Sequence, residues 1–305
     1  MEIEILKYDI WFGFNGSRFE LRNEFKKISK NLSTNFSVLM LDYNHIDVIN
    51  DTNGSTFFYQ KQAIDLPKLC VPMHYSWKSY QNRHWLQELE LNGTIMANSI
   101  YSIDDARFKN TCAQQLMRNN IDMPRQMTVN SIDDKFYKMV EQYIKFPCIL
   151  KILIGCHGKG VVLCQNKKEL EIFCDYNIAQ WTNQITNLMI QECITESLGR
   201  DLRVIVIGNE VVGGMSRSSV DGDFRANIAT GSEGRPYTVS NELKDLCLKI
   251  MKILNLKVAG IDFLFSERGL LVNEVNPTPE FAKFSEVTGI DMIEKLSNYY
   301  RSLLT

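Results

Sequence analysis

The chain has 305 residues, of which 45% are hydrophobic and 23% are charged, and its formal net charge at pH 7 is −2. This composition is typical of a globular protein with two or three domain-sized units, and the charge balance excludes the basic excess of a general nucleic-acid or membrane binder. No run approaches about 18 apolar residues, and the amino terminus is acidic where a signal peptide is basic, so we expect a cytoplasmic protein.

The first part of the chain alternates short apolar strands with amphipathic helical patterns. Strands are predicted at YDIWFGF and SVLMLD, with a helix through RFELRNEFKKISK between them, and the strand TIMAN follows the helix SYQNRHWLQELELNG. This rhythm favours a small α/β unit with a largely parallel sheet over residues 1–110. A helix is then predicted over 103–119.

The pattern changes after this helix. The strands PCILKIL and GVVLC and the helix KKELEIFCDY predict a compact α+β unit over residues 111–185. Residues 186–305 are predicted to form mainly long antiparallel strands, which are NLMIQEC, DLRVIVIG, NEVVGGMSR, VAGIDFLF and GLLVNEV, with the helices ELKDLCLKIMKILN and DMIEKLSNYYRSLL. The fold class is therefore mixed, α/β followed by α+β.

A glycine-rich hairpin follows a strand that carries a lysine. The segment PCILKILIGCHGKGVVL places Lys151 at the end of the strand and Gly155, Gly158 and Gly160 in the connection. Glycines let backbone N–H groups approach an anion closely, and a lysine supplies the point charge that a phosphate attracts. The segment is neither a Walker A loop nor a Rossmann turn. A phosphate site and a plain β-hairpin with a flexible tip both remain open.

A strand end and a polar turn suggest a nucleotide-base site. The strand in LMIQECITESLGRDLRV ends at Gln191, Glu192, Cys193 and Ile194, and the turn brings Asp201 to the head of the next strand. Exposed N–H and C=O groups at such an end can pair with an adenine edge, and an aspartate can accept hydrogen bonds from ribose hydroxyls. The alternative is an ordinary strand connection.

The segment SRSSVDGDFRANIATGSEG is too rich in glycine and serine to be core, and it contains Arg217, Arg225 and Asn227. Arginines on a loop beside an anion site can stabilise the charge that develops on a transferring phosphoryl group. The alternative is a surface loop with unpaired arginines.

Three oxygen-bearing side chains suggest a cation site. Asp262 lies in the apolar strand VAGIDFLF, where a carboxylate is costly unless it is paired or binds a metal. Glu274 and Asn276 lie two residues apart in GLLVNEVNPTPEF, so they share a strand face. Such a set suits Mg²⁺, which takes its remaining ligands from water and phosphates. Together the four segments are the parts of an ATP phosphoryl-transfer site.

In this order the motifs resemble the ATP-grasp superfamily and, more narrowly, its RimK/LysX group of carboxylate–amine ligases. GRDLRVIVIGNEVVGG, DGDFRANIATG, VAGIDFLF, ERGLLVNEVN and TGIDM all read like that group. The resemblance implies an ATP-grasp fold with an N-terminal pre-ATP-grasp α/β domain (1–110), a small central α+β lid subdomain (111–185) and a C-terminal antiparallel-sheet catalytic subdomain (186–305).

The resemblance also implies a role for each candidate residue. Around ATP it places Lys109, Lys151, Gly158, Gln191, Glu192, Cys193, Ile194, Asp201, Arg225 and Asn227. Around Mg²⁺, for which Mn²⁺ can substitute, it places Asp262, Glu274 and Asn276. Arg217 and Arg225 are the implied catalytic residues, with Arg217 near an acyl-phosphate.

The chemistry implied is a two-step ligation. A substrate carboxylate attacks the γ-phosphate of ATP, giving an acyl-phosphate and ADP, and an amine then attacks the acyl carbon and releases phosphate. No nucleophilic side chain is needed, because positioning and charge neutralisation supply the catalysis.

The substrates stay open at this point. The segment NPTPEF resembles LysX-type ligases, which attach an amino acid to a carrier protein's C-terminal glutamate, and this resemblance offers Thr278 and Glu280 as substrate residues. The segment DGDFRANIATG is closer to RimK. We therefore expect an amino-acid substrate and a peptide or carrier-protein acceptor, with a homodimer or homotetramer as the assembly. The alternatives are a small-molecule amino-acid or dipeptide ligase and a non-catalytic ATP-binding scaffold.

Overall fold

The computed structural model describes residues 5–15, 23–52, 54–73, 80–153, 160–180, 188–220, 222–226 and 232–305. Within these ranges the chain forms a parallel sheet, a small antiparallel sheet beside it, and two further antiparallel sheets later in the chain. Among the helices in these ranges, none is long and apolar enough to cross a membrane.

The amino-terminal part is an α/β unit, as predicted. Its elements are β1 (Ile10–Phe14), α1 (Asn23–Leu32), β2 (Val38–Asp42), β3 (Ile46–Asp51), β4 (Gly54–Tyr59), β5 (Gln62–Ile64), β6 (Leu69–Pro72), α2 (Tyr80–Leu91) and β7 (Ile95–Met96). The parallel sheet has the strand order β2-β1-β6-β7. The antiparallel sheet β3-β4-β5 was not predicted from the sequence.

The helix predicted over 103–119 is two helices, α3 (Ile100–Arg107) and α4 (Lys109–Arg118). The backbone of Phe108 is extended between them, with φ −76° and ψ 100°. The chain therefore turns at this residue, and Lys109 becomes the first residue of α4. A periodicity argument does not detect this break, because the buried positions keep a helical spacing through it, although Ile103 packs in a different core from Ala113 and Leu116.

The central part is built on the sheet β10-β9-β11-β8, in which neighbouring strands are antiparallel. Its elements are β8 (Gln126–Val129), α5 (Asp134–Met139), a π-helical turn (Val140–Ile144), β9 (Cys148–Ile152), β10 (Val161–Cys164), α6 (Lys167–Gln180) and β11 (Leu188–Glu192). The side chains of this part form a core of their own.

The remaining elements form the largest sheet, which we call the catalytic sheet. Its strand order is β14-β13-β12-β15-β16, and all its pairs are antiparallel. The elements are β12 (Arg200–Ile207), β13 (Glu210–Ser218), β14 (Glu233–Tyr237), α7 (Asn241–Ile253), β15 (Val258–Ser266), β16 (Gly269–Asn276), α8 (Ala282–Thr288) and α9 (Met292–Ser302). The edge strand β14 was not predicted from the sequence.

The catalytic sheet is apolar on both faces, and strand β12 shows how. Leu202 and Val204 belong to the core formed with α4 and α7. Ile205 points to the other face, where the core includes α1, α8, α9 and the parallel sheet. Because side chains alternate along a strand, Asp201 and Arg203 lie on the same face as Ile205. This face is therefore apolar at one end and charged at the other.

Candidate active site

A cavity of about 140 Å³ lies between the central sheet and the charged end of the catalytic sheet. Ten of the predicted site residues line it, which are Lys109, Lys151, Gln191, Glu192, Cys193, Ile194, Asp201, Arg225, Asp262 and Glu274. Four predicted residues do not line it, which are Arg217, Asn276, Thr278 and Glu280. Gly158 and Asn227 lie outside the described residues.

The strand pairing explains how the three predicted metal ligands meet. Asp262 is directly opposite Glu274, and Asn276 follows two residues later on the same strand. The amide of Asn276 lies 3.3 Å from a carboxylate oxygen of Asp262 and 3.3 Å from one of Glu274. Three oxygen-bearing side chains are thus within reach of a single cation.

The donor set fits a magnesium ion that shares its ligands with a substrate. In the described part of the chain, no group of three His, Cys, Asp or Glu side chains could hold a metal ion. Two carboxylates and one amide are too few for an all-protein cage, but Mg²⁺ is usually held by one or two carboxylates together with phosphates and water. The set therefore suits a cation that arrives with phosphate groups.

Two arginines bind the carboxylate of Asp262. Arg203 binds it through two hydrogen bonds, from Nε at 2.8 Å and from Nη2 at 2.7 Å. Arg217 Nη2 lies 3.1 Å from the same carboxylate. Burial opposes ionisation of Asp262, but the two guanidinium groups outweigh it and hold its pKa below the ordinary value. The residue is therefore an anion at neutral pH, as a metal ligand must be.

Arg217 lies beneath the cavity floor and is only 2% exposed. Its Nε and Nη2 donate to the two oxygens of Asp201, each at 2.6 Å. Burial raises the pKa of Asp201, and this bidentate pair counteracts the effect. This position favours a role in fixing Asp201 and Asp262, and the direct catalytic role that the sequence suggested stays a prediction.

The two predicted phosphate lysines lie at the same end of the cavity. Lys151 is 7% exposed, and its Nζ donates to Asn273 Oδ1 at 2.9 Å. The Nζ of Lys109 lies 3.4 Å from Glu274 Oε1. Burial, reinforced by the neighbouring charge of Lys109, lowers the pKa of Lys151 to about 8.

The lowered pKa of Lys151 predicts proton uptake when a nucleotide binds. Phosphate oxygens favour the charged ammonium, so at about pH 8.5, where the free lysine is largely neutral, binding should take up a fraction of a proton. At about pH 6.5 we expect no uptake by this group, because the lysine is already charged. Calorimetry of ADP binding in two buffers of different ionisation enthalpy measures the uptake. The Lys151→Met variant should lose it, and uptake that persists in this variant would contradict the assignment.

The same shift has a consequence for folding. The pKa of Lys151 falls from 10.5 to about 8 on folding. The buried ammonium therefore costs stability below about pH 8, and this cost disappears as the pH rises towards the unfolded value.

The predicted adenine-binding strand end lines the cavity, but one of its side chains is engaged elsewhere. Glu192 Oε2 accepts from the backbone N–H of Arg125 at 3.0 Å and from Arg268 Nη2 at 2.8 Å. The main chain of Cys193 makes no hydrogen bond to another described residue. Any contact with an adenine edge at this position is therefore expected from the main chain of this segment, with the Glu192 carboxylate holding the segment in place.

Replacing Glu192 by alanine should change nucleotide affinity by no more than about fivefold, since the lost ion pair is half-exposed and such pairs contribute at most about 1 kcal/mol. Calorimetry with ADP tests this, and Arg268→Ala is the matched control because it removes the same pair from the other side. A loss of about tenfold or more in Glu192→Ala alone would show that the carboxylate itself contacts the nucleotide.

Sequence reasoning missed two residues of the site. Arg203 lies two positions after Asp201, and the shared strand face was a signal that could have found it. Asn273 could not have been found by alternation, which places it on the face opposite Glu274. The pairing shifts between Asp262 and Phe263, so that Asn273 is an extra residue in β16. This bulge turns the side chain towards Lys151.

The comparisons with known proteins agree with this geometry. The family model of the RimK-like ATP-grasp domain matches residues 106–300. The "Probable alpha-L-glutamate ligase" of Enterobacter sp. (strain 638) is 31% identical over 246 residues, which cover 81% of this chain and 80% of that protein. The protein of the same name from Coxiella burnetii (strain Dugway 5J108-111) is 36% identical over 207 residues, covering 68% of this chain and 67% of its own length.

Solved structures share the fold over nearly the whole chain. The ATP-grasp ligase PsnB complexed with minimal precursor has a TM-score of 0.73 at 20% identity, covering 97% of this chain and 99% of that one. The RimK domain protein ATP-grasp from Sphaerobacter thermophilus has a TM-score of 0.69 at 15% identity, covering 95% and 98%. The fold is that of the ATP-grasp ligases, and the chain is an enzyme that forms carbon–nitrogen bonds. The chain belongs to the RimK-like ATP-grasp family.

Proposed function

We propose that this ligase uses ATP and Mg²⁺ to join the amine of an amino acid to the C-terminal carboxylate of a peptide or carrier protein, through an acyl-phosphate and with release of ADP and phosphate. The observation that carries the proposal is the meeting of two lysines and two carboxylates in one cavity, with Asn276 and an arginine network directly beside it. Lys109, Lys151, Asp262 and Glu274 line its wall, and Asn276 lies beside the two carboxylates.

The nucleotide would lie between the central sheet and the catalytic sheet. Apolar side chains on both sides, Ile149 and Val161 from one and Leu264 from the other, provide surfaces for a base. Lys109 and Lys151 would then face the phosphates. Both ammonium groups lie at the far end of the cavity. There Lys151 contacts Asn273 and Lys109 contacts Glu274.

The carboxylate–amide trio would hold the cation. A magnesium ion bound there supplies neutralisation of the phosphate charge. Arg203 and Arg217 keep Asp262 ionised and orient its carboxylate through the contacts described above. Arg225, which Asp223 binds at 2.6 Å, extends the positive charge along the cavity wall.

These groups suit an acyl-phosphate mechanism because they neutralise charge without attacking the substrate. The attacking group is the acceptor's own carboxylate, which forms a bond to the γ-phosphorus as ADP leaves. The amine then forms the new bond to the acyl carbon, and phosphate leaves. Catalysis by positioning and electrostatic stabilisation is what such a site can supply.

A peptide acceptor is supported by what structural neighbours bind. PsnB has been solved with a minimal precursor, and the Chryseobacterium gregarium RiPP-associated ATP-grasp ligase has been solved with ADP and a leader and core peptide. The alternatives are a ligase of two small molecules and, least favoured, a non-catalytic scaffold. We also expect a homo-oligomer, as in the sequence analysis.

The experiment that tests the proposal incubates the purified chain with ATP, Mg²⁺, single amino acids and peptides that end in glutamate or aspartate. Chromatography separates ADP from AMP, and mass spectrometry measures the peptides. We expect ADP formation that depends on both an amino acid and a peptide, with a peptide mass increase equal to one residue. Formation of AMP would contradict the acyl-phosphate route, and dipeptide products without peptide modification would favour the small-molecule alternative.

A further inference from the structure

A second, smaller cavity lies where the parallel sheet of the amino-terminal part meets the catalytic sheet. Its volume is about 30 Å³, enough for one or two groups the size of a water molecule or a methyl group. Met73 and Asn98 line it just beyond the carboxyl ends of β6 and β7, and Thr278 and Pro279 line it from the loop after β16. Ligands of α/β proteins commonly bind outside the carboxyl ends of parallel strands.

Two hydroxyl groups in this cavity lack partners. Tyr300 lines the cavity and is 3% exposed, and its hydroxyl makes no hydrogen bond to any residue that the structure describes. Thr278 also lines the cavity, and its hydroxyl is equally without a partner in the described ranges. A buried hydroxyl without a partner is costly, so the Tyr300 hydroxyl, with that of the half-buried Thr278 in the same cavity, points to a ligand that can hydrogen-bond.

The Tyr300 hydroxyl is not sealed inside the core. Within the described residues, the fully enclosed side-chain polar atoms without a partner are the indole nitrogens of Trp11 and Trp85, in the amino-terminal core. Since the Tyr300 oxygen is not one of them, it keeps accessible surface although its residue is almost entirely buried. The surface that remains is open to the cavity that Tyr300 lines.

The cavity wall is uncharged. None of the described residues that line it is Asp, Glu, Lys, Arg or His. The one amide, Asn98, already uses all its hydrogen-bonding positions, donating to Val258 O and Pro277 O and accepting from Lys257 N and Val258 N. A charged side chain that entered would lose its hydration without compensation. The cavity therefore suits a small neutral group.

The loop that lines the cavity lies beside the candidate active site. The loop that contains Thr278 begins immediately after Asn276, the third member of the carboxylate–amide trio. A Cβ built on Gly260 would lie 3.0 Å from Pro279 Cβ and 3.7 Å from Arg203 Nε, so the loop and the arginine close over one backbone position. A molecule with its side chain in the cavity can thus present its α-amine to the charged end of the sheet.

We propose that this cavity receives the side chain of the amino acid whose amine is ligated, and that it selects a small side chain with one hydroxyl, serine or threonine. The inference rests on the proposed function, whose amine substrate it specifies. The two hydroxyls provide the partners for the incoming hydroxyl, and the apolar remainder of the wall packs against its carbon atoms. The uncharged wall disfavours glutamate, the amino acid in the names of the relatives.

The test is a binding experiment on the full chain saturated with ADP and Mg²⁺. L-serine, L-threonine, L-alanine, L-glutamate and L-lysine are titrated separately by calorimetry. We expect serine or threonine to bind at least about tenfold more tightly than glutamate or lysine, because the charged side chains would be desolvated. Binding of glutamate or lysine as tight as that of serine, or no binding of any of the five, would overturn the inference.

Variants of the cavity residues test whether the preference for serine or threonine arises in this cavity. Tyr300→Phe should weaken serine binding by about three- to tenfold and leave alanine binding unchanged, because only the hydroxyl is removed. The matched control is Tyr299→Phe, the same change on the neighbouring residue of α9, whose ring instead packs near Gly208. Thr278→Val is a second cavity variant if Tyr300→Phe folds poorly. Equal losses for serine and alanine in both cavity variants would exclude specific recognition of the hydroxyl.

Different experimental results would overturn the inference and the proposed function. Selective serine binding without ADP formation in the presence of any peptide would support the cavity and count against the proposed peptide ligation. ADP formation that is fastest with glutamate would support the ligase and overturn the inference.

Discussion

An Arg217→Met variant is expected to lose about 3–5 kcal/mol of unfolding free energy, the largest stability effect that the structure predicts. Arg217 is the most deeply buried charged side chain of the site, at 2% exposure, and it contacts both Asp201 and Asp262. Methionine fills a similar volume, but it leaves Asp201 buried without its bidentate partner. Breaking a buried pair from one side is costly because an uncompensated charge remains.

Urea denaturation followed by circular dichroism measures the effect, in the absence of nucleotide so that ligand binding does not contribute. Arg225→Met is the control, since Arg225 pairs with Asp223 in a more accessible position, with side-chain exposures of 32% and 19%, and such a pair contributes at most about 1 kcal/mol. A stable Arg217→Met protein that binds ADP normally but has lost ligase activity would instead support the direct catalytic role suggested by the sequence.

Arg217 illustrates what sequence alone could and could not provide. The resemblance placed Arg217 near an acyl-phosphate, and the structure brings it together with Asp201 and Asp262. Whether that arginine faces the substrate or lies beneath the carboxylates depends on which side chains pack over it, because its cross-strand partner Asp201, on the same face, does line the cavity. The register pairs Asp201 with Arg217 across β12 and β13, which is a long-range fact that local patterns do not contain.

The overall fold likewise has elements that the sequence predicted and elements that it did not. Alternating apolar runs predicted the parallel sheet and most strands of the catalytic sheet, because burial of one or both faces leaves a local pattern. The small sheet β3-β4-β5 was missed although the sequence there contains Asn-Gly, a favoured hairpin pair whose glycine begins β4. Its strands are short and largely exposed, so their hydrophobic pattern is weak.

The second cavity lay beyond sequence reasoning for a different reason. Thr278 was a tentative substrate residue, but Tyr300 carried no signal, because a tyrosine on an amphipathic terminal helix is normally core. Thr278 and Tyr300 line the same cavity because α9 and the loop after β16 pack against the ends of β6 and β7. Glu280, the other tentative substrate residue, is exposed and lines neither cavity.

The largest expected effect on activity is that of Glu274→Gln, which should lower the rate of ADP formation by about 10²- to 10³-fold without a comparable loss of stability. Glutamine keeps the size and hydrogen-bonding capacity of the side chain, but it removes the charge that a magnesium ligand supplies. The Glu274 side chain is 35% exposed and its ion pair with Lys109 is 3.4 Å long, so the fold depends little on it.

The measurement is ADP formation at saturating ATP over a range of Mg²⁺ concentrations, with the unfolding free energy determined in parallel. Raising Mg²⁺ should recover part of the lost rate if the defect is in cation binding. Glu267→Gln is the matched control, because it makes the same chemical change on an exposed residue in the turn just before the same strand. An unchanged rate in Glu274→Gln would show that the trio of Asp262, Glu274 and Asn276 does not hold the cation. Loss of the rate together with a large loss of unfolding free energy would instead assign Glu274 a structural role. We do not expect this outcome, because the arginines that bind Asp262 are the groups expected to stabilise this end of the sheet.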